Sequence, residues 1–358
     1  MNFKKEIYLQ SAKKYINKVL VLGDNRGAYH HGCDSVILQL AEDIDTIIAD
    51  GIPIEFHPGL NWEKIKTDAL NAKWVIVNGE GTLHSDRKPV YSITKLAEFR
   101  KLKGLPTALV NFSWFDNSVE NTKRLRYFDF VSVRDKCSEK IISEQGIVTA
   151  YCPDLALIYA FLTYTPHRSN DKVLVGDSTN VTVTRILLNY CESNSLKYLP
   201  VVYPPSDMRP SRKALKLFLK FKLHSLAAKF SVQLFSLRYL SHAMGVRDIF
   251  EYFNYLQSTR GILTGRFHQV CFAIALKKPF LFTRSNTPKI DCILSDVGLE
   301  VLNRSIDLTS LNEGSLEIPE FTTKEKENIL AFHELIPRCH SKFCASLAIF
   351  FDSVEETY

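Results

Sequence analysis

The sequence contains no apolar run approaching the roughly 20 residues that a bilayer-spanning helix requires. Its N-terminal stretch also leads into no apolar segment of the kind that directs secretion. Membrane-embedded and exported classes are therefore not expected, and the Asn-x-Ser/Thr triplets at Asn111, Asn180 and Asn303 carry no glycosylation argument. The eight cysteines include no C-x-x-C pair; they are scattered and read as free, mostly buried thiols of a reducing cytoplasm. Low-complexity tracts and internal sequence repeats are absent, which excludes solenoids and linker-like chains. Acidic residues are missing altogether from 209 to 236, in a chain whose net charge is only +6. Because that basic stretch lacks the aromatic and glycine interleaving of RNA-binding surfaces, nucleic acid is not expected as a partner.

What is present suits a soluble two-domain enzyme: 358 residues, 46% hydrophobic and 23% charged, enough to build cores without staples. Short apolar runs at 19–22, 52–56, 74–77, 107–111, 130–133 and 147–151 read as strands separated by amphipathic helices. Such alternation predicts a parallel sheet covered on both faces. After a polar linker at 163–171 the pattern begins again, with strands at 173–176, 198–202, 261–263 and 279–282. The expected fold is α/β with two Rossmann-like domains, 1–165 and 166–325, and a helical segment, 326–358, returning toward the first domain. Ligands of such folds bind at the carboxyl ends of the strands, here in the cleft between the domains.

The turns after the strands carry the chemistry. Arg266 and His268 follow the run 261–263 and open a helix-like segment, where exposed N–H groups already favour an anion. The first strand runs into Gly23, Asp24 and Asn25, then His30, His31, Gly32 and Cys33, ahead of a helix over 34–49. The third runs into Asn78-Gly79-Glu80-Gly81, which displays a carboxylate between two glycines; Glu80 is expected to face substrate as a base, or else to pair with an arginine across the cleft. Arg134 follows the fifth strand, a natural place for a bidentate clamp on carboxylate or phosphate, and Asp154 follows the sixth, where it can orient that arginine.

Taken in order, these turns resemble the polysaccharide pyruvyl transferase family. The matching pieces are Gly23-Asp24-Asn25, the glycine-rich second turn, Val133-Arg134-Asp135 with Ser138 and Gly146, Pro153-Asp154, and Arg266-Phe267-His268 with Ala273, Lys278-Pro279 and Lys289. The family's second turn is commonly a run of three glycines, whose middle position is Glu80 here. The resemblance implies a glycosyltransferase-B-like pair of domains, acceptor side first and donor side second. It also implies transfer of a pyruvyl group from phosphoenolpyruvate to two hydroxyls of a sugar or lipid-linked glycan, forming a ketal. Arg134, Arg266 and His268 would then bind the donor, and His268, Glu80 and Asp24 are the catalytic candidates. Asn25, His31, Asp154, Ser285, Asn286 and Lys289 complete the expected substrate-binding set.

The same fold also accommodates a glycosyltransferase with a nucleotide-activated donor such as a CMP-linked keto-acid sugar; the turn Ser285-Asn286-Thr287-Pro288-Lys289 would suit its phosphate or ribose. A binding protein that kept the fold and lost the chemistry is a third reading, disfavoured by the cationic residues. The segment 209–231 has an apolar stripe (Leu215, Leu219, Leu223, Leu226, Phe230) beside a cationic one (Arg212, Lys216, Lys220, His224). It suits either an ordinary domain helix or a peripheral contact with an anionic membrane, which would place a cytoplasmic enzyme at the inner membrane face. His333, Cys339, His340 and Cys344 lie close together, but their spacing matches no familiar zinc pattern, so no metal and no resident cofactor is expected.

Overall fold

Val19 and Val21 point to one side of their strand and Leu20 and Leu22 to the other, so both faces of the first sheet are apolar and both must be covered. The computed structural model describes residues 16–49, 51–165, 172–204, 241–242, 244–284, 287–312 and 317–353. The expected linker core and the basic stretch 209–231 lie outside the described residues.

The first sheet comprises β1 (Ile16–Leu22), β2 (Ile54–His57), β3 (Ala72–Glu80), β4 (Thr107–Phe112), β5 (Phe130–Val133) and β6 (Ala150–Tyr151), in the order β2-β1-β3-β4-β5-β6. The second comprises β7 (Val173–Ser178), β8 (Lys197–Tyr198), β9 (Gly261–Gly265), β10 (Phe280–Thr283) and β11 (Ser305–Ile306), in the order β11-β10-β9-β7-β8. Every pairing in both sheets is parallel. Each sheet also begins the same way, its first strand lying between its second and third. The strand order therefore reverses between β1 and β3 and again between β7 and β9, the two places where such sheets open a crevice for ligands.

The described helices are α1 (His31–Ile47), α2 (Trp62–Asn71), α3 (Lys88–Lys101), α4 (Val119–Lys123), α5 (Lys136–Ser143), α6 (Leu155–Thr163), α7 (Val181–Ser193), α8 (Ile249–Ser258), α9 (Phe267–Ala275), α10 (Lys289–Val297), α11 (Val301–Arg304) and α12 (Thr323–Asp352). None is long and apolar enough to cross a membrane. A single central core joins the inner faces of both sheets through α1, α6, α8, α9, α10 and α12. The outer face of the first sheet is covered by α2 and α3, and that of the second by α7. All nine residues of α9 are buried, which is why its sequence is apolar on every side rather than amphipathic.

The C-terminal helix starts at Thr323, three residues before the segment expected from sequence. A capping box starts it: the Thr322 hydroxyl accepts from the Glu325 N–H, and Glu325 reaches back to the Thr322 N–H. Glu325 also holds the buried Arg304 through two bonds of 2.9 and 2.6 Å, tying the helix start to the second sheet's edge. At roughly 1.5 Å per residue the helix runs about 45 Å. His333 meets the Ile274 carbonyl of α9 at 2.9 Å, and near its far end the Phe351 carbonyl accepts from the Trp74 indole of β3 at 3.3 Å.

Four elements differ most from the sequence reading. The strands expected at 147–151 and 198–202 shrink to the two residues each of β6 and β8, β11 was not expected, and α1 begins at His31 rather than at 34. The last difference matters for the site, because it puts His31, Gly32 and Cys33 inside the helix's first turn.

Candidate active site

The two reversal points of the sheets are joined by backbone. His31 N–H donates to the Val201 carbonyl at 3.0 Å and Tyr203 N–H to the Tyr29 carbonyl at 2.9 Å, while His30 bridges to Val202. The turn after β1 is thereby fixed against the segment after β8. His30 caps α1, its Nδ1 accepting from Gly32 N–H at 3.0 Å and Cys33 N–H at 3.4 Å. An accepting Nδ1 places the proton of the neutral ring on Nε2. Burial, then the neighbouring His268 ring and the Arg266 charge, push the His30 pKa well below the ordinary histidine range.

His268 lies across from this cap, its ring centre 5.2 Å from that of His30 in an edge-on arrangement. Gly32 is what permits the approach, since a Cβ there would come within 2.5 Å of the His268 Cβ and closer to its ring. Nε2 of His268 has no hydrogen-bond partner among the described residues, and its nearest carboxylate oxygen, on Asp154, is 3.8 Å away. Burial and the charges of Arg134, Lys289 and Arg266 keep this imidazole neutral, its pKa well below the ordinary value.

Glu80 ends β3 in the left-handed backbone region, φ 39°, so that its side chain turns inward. It is 5% exposed, accepting from the Asn78 amide at 3.0 Å and from the Cys33 thiol at 3.5 Å. Asn78 is itself held, donating to the Gly23 carbonyl at 3.1 Å and accepting from Asn111 at 3.2 Å. Burial raises the Glu80 pKa; the Asn78 bond opposes this, Asp154 adds to it and Arg134 opposes it. The Cys33 thiol is pushed far up by burial and by the Glu80 charge, so it stays protonated and acts as a donor. The expected alternative for Glu80, a salt bridge across the cleft, is not formed among the described residues.

Arg134 is 1% exposed and stretched between three neighbours. Its Nε donates to the Ser113 hydroxyl and its Nη1 to Asp154, each at 2.8 Å, and its guanidinium carbon lies 4.4 Å from the centre of the Phe267 ring. Asp154 uses its other oxygen to cap α6, accepting from Ala156 N–H at 2.9 Å. Nη2 of Arg134 is buried with no partner among the described residues. Lys289, the half-buried first residue of α10, comes to the same place: a Cβ added at Gly81 would lie 3.4 Å from its amine and 3.6 Å from Arg134 Nη2. Burial, then the charges of Arg134 and Arg266, bring its pKa down to about 8. Arg266 is held by both Nε and Nη2 on one oxygen of Asp177, which is fully buried and accepts from Val201 N–H at 3.1 Å on the other.

Comparison with known proteins adds the decisive observation. The sequence model of the family described as polysaccharide pyruvyl transferase matches residues 30–286, well over half of the chain. The chain belongs to that family. No curated protein matches it. Among solved structures, a functionally uncharacterised protein of Klebsiella pneumoniae subsp. pneumoniae NTUH-K2044 is 12% identical, with a TM-score of 0.39, covering 83% of this chain and 94% of that one.

In this member of the polysaccharide pyruvyl transferases, the structure brings together His268, Arg134, Asp154, Glu80, Arg266 and Lys289. Asn25 stands at the edge of the group and helps hold the Glu80 carboxylate. Two candidates do not join it. His31 is fully buried in the central core, its Nε2 on the Val246 carbonyl at 2.7 Å and its ring stacked on Tyr252 at 4.2 Å; burial takes its pKa to about 4. Asp24 is gripped by Arg26 through bonds of 2.7 to 3.1 Å, and although burial raises its pKa, those bonds and the Arg26 charge lower it further, making it a poor base. Ser285 and Asn286 lie outside the described residues. The sequence reading missed Cys33, Asn78, Asn111 and Ser113 as neighbours of this cluster. Asn111 and Ser113 could have been found by the rule that found Arg134, being polar residues at the carboxyl end of an apolar strand.

Proposed function

We propose that this protein moves a pyruvyl group from phosphoenolpyruvate to two hydroxyls of a sugar acceptor in cell-surface polysaccharide or glycolipid biosynthesis. The observation that carries the reading is the convergence of two buried nitrogens without a partner among the described residues, Arg134 Nη2 and His268 Nε2, with the Lys289 amine beside Gly81. Arg134 and Arg266 are each matched by an aspartate, so the Lys289 amine brings a further positive charge to the site, while burial shifts Glu80 toward its neutral form. A small, densely anionic donor suits such a site, because fixed cationic donors bind it without reorganising. Glu80 at the family's glycine position is compatible with that donor in this reading, because burial and a neighbouring anion both favour the neutral form of its carboxyl.

The chemistry follows from atom balance. One acceptor hydroxyl adds to C2 of the donor, the C2–O bond to phosphate breaks, and the second hydroxyl closes the ketal. The methylene carbon gains one proton and the departing phosphate another, replacing the two that the hydroxyls lose. In this reading Glu80, protonated once the donor is bound, serves as the acid for the methylene carbon, and His268, kept neutral by burial, serves as the base that takes a hydroxyl proton and passes it to phosphate. The two sheets pack as the halves of a glycosyltransferase-B-like enzyme in this reading, with the acceptor on the side of β1 and β3. A lipid-linked acceptor would place the enzyme at the inner membrane face, with 209–231 as its contact. The test is phosphate release from phosphoenolpyruvate in the presence of a pyranoside acceptor, together with thermal stabilisation by phosphoenolpyruvate. Stabilisation by CMP or UDP with no response to phosphoenolpyruvate would overturn the reading in favour of glycosyl transfer.

A further inference from the structure

His340 and Cys344 stand one turn apart on α12 and so share a face, which packs against α1 where Asp43 lies. One ligand atom from each of the three residues lies within 4.8 Å of the others. The His340 Nε2 is 2.9 Å from Asp43 Oδ1 and 3.6 Å from Cys344 Sγ. Asp43 Oδ1 also accepts from the Gln39 amide at 2.9 Å, whereas Asp43 Oδ2 has no partner among the described residues although Asp43 is only 4% exposed. A ring nitrogen carries at most one hydrogen, so His340 cannot serve carboxylate and sulfur fully. Hydrogen bonding therefore leaves this cluster incomplete, in a part of the molecule where a bare polar atom is costly.

We propose that Asp43, His340 and Cys344 form a zinc site, with water in the fourth position, that pins the C-terminal helix to α1. Thiolate, imidazole and carboxylate together suit zinc or cobalt and not the hard cations magnesium and calcium. Tetrahedral bonds of about 2.0–2.3 Å set ligand atoms roughly 3.3–3.7 Å apart. The sulfur–nitrogen distance already fits, and bringing Oδ2 to the metal replaces the 2.9 Å contact between Oδ1 and the imidazole nitrogen. Asp43 Oδ2 would ligate while Oδ1 keeps its bond to Gln39, an outer partner that orients the carboxylate. On binding, the thiol and the imidazole Nε2 give up their protons to solvent. A second cluster, Asp135, Cys137 and Cys292, also falls within 4.8 Å, but both Asp135 oxygens are satisfied there, by the Ser113 hydroxyl at 2.7 Å and the Ser138 N–H at 2.8 Å. Among the described residues, only the cluster on α12 combines ligand spacing with an unpartnered carboxylate oxygen.

The test uses the full chain stripped of metal and titrated with cobalt(II). A thiolate-to-cobalt charge-transfer absorption and tetrahedral d–d bands are expected at one equivalent, both displaced by zinc, with a rise in melting temperature. Cys344→Ser should abolish the charge-transfer band and Asp43→Asn should weaken binding by more than about tenfold, whereas Cys137→Ser should leave the spectrum unchanged. Absence of the band in the unmodified protein overturns the proposal. So does a band that survives Cys344→Ser or disappears with Cys137→Ser.

Discussion

Alanine in place of Gly32 separates two roles that the start of α1 combines, helix formation and the close approach of His268. The new Cβ would lie 2.5 Å from the His268 Cβ and closer to the ring. Ordinary carbon contacts lie at about 3.5–4.0 Å, so α1 and α9 must part by roughly 1 Å. Turning the imidazole brings no relief, because the His268 Cβ is itself among the atoms struck. For stability two energies compete: alanine is the better helix former by up to about 1 kcal/mol, and overpacking a core costs about 1–3 kcal/mol. The net loss of about 0–2 kcal/mol leaves a folded protein. Catalysis has no such offset, and a displacement near 1 Å costs on the order of 100-fold, about 2.7 kcal/mol of transition-state stabilisation. The expected outcome is a kcat for phosphate release about 100-fold below that of the unmodified enzyme, with a melting temperature lower by only a few degrees. Steady-state phosphate release and calorimetric melting measure the two effects separately. A Gly32→Ala enzyme with unchanged kcat would refute the placement of His268 among the reacting groups.

Glu80→Gln keeps the shape and the Asn78 contact but removes the acid; turnover should drop roughly 100- to 10,000-fold while the donor still raises the melting temperature, and loss of donor binding instead would argue that Glu80 only positions. Lys289 sheds its proton near pH 8, so the KM for phosphoenolpyruvate should climb above that pH with less change in kcat, and Lys289→Arg should flatten the profile. Its folded pKa lies below the ordinary lysine value of about 10.5, so between about 8 and 10.5 the unfolded chain holds the extra proton and this group makes stability rise with pH; urea titrations across that window check the sign. His31→Phe should preserve the stack on Tyr252 but strand the Val246 carbonyl, costing about 1–3 kcal/mol of stability with kcat retained. A large fall in kcat with normal stability would return His31 to the substrate-binding set.

The longer strands were legible because a strand buried on both faces must be written as a near-continuous apolar run, and β1, β3, β4, β9 and β10 all are. The strands of two residues, β6, β8 and β11, were poorly legible or invisible, since their assignment depends on pairing with a neighbour and not on their own pattern. Arg134 and Glu80 could be read from their positions at strand ends. His30 and His31 could not be told apart by sequence: the cap that starts α1 at His31 sends one ring toward His268 and the next into the core. Asp24 was misjudged for a local reason, an arginine two residues away that could reach it.

Periodicity and turn chemistry act within a few residues, and so the sequence by itself determined the α/β class, most of the strands, the family and the turns that bear functional groups. Tertiary structure decided what those turns meet. It joined Arg266 to Asp177 across 89 positions, Glu80 to Cys33 across 47, and Asp43 to His340 across 297. It also decided protonation, because burial and neighbouring charge, which set the states of Glu80, His268 and Lys289, arise only when distant segments close around a group.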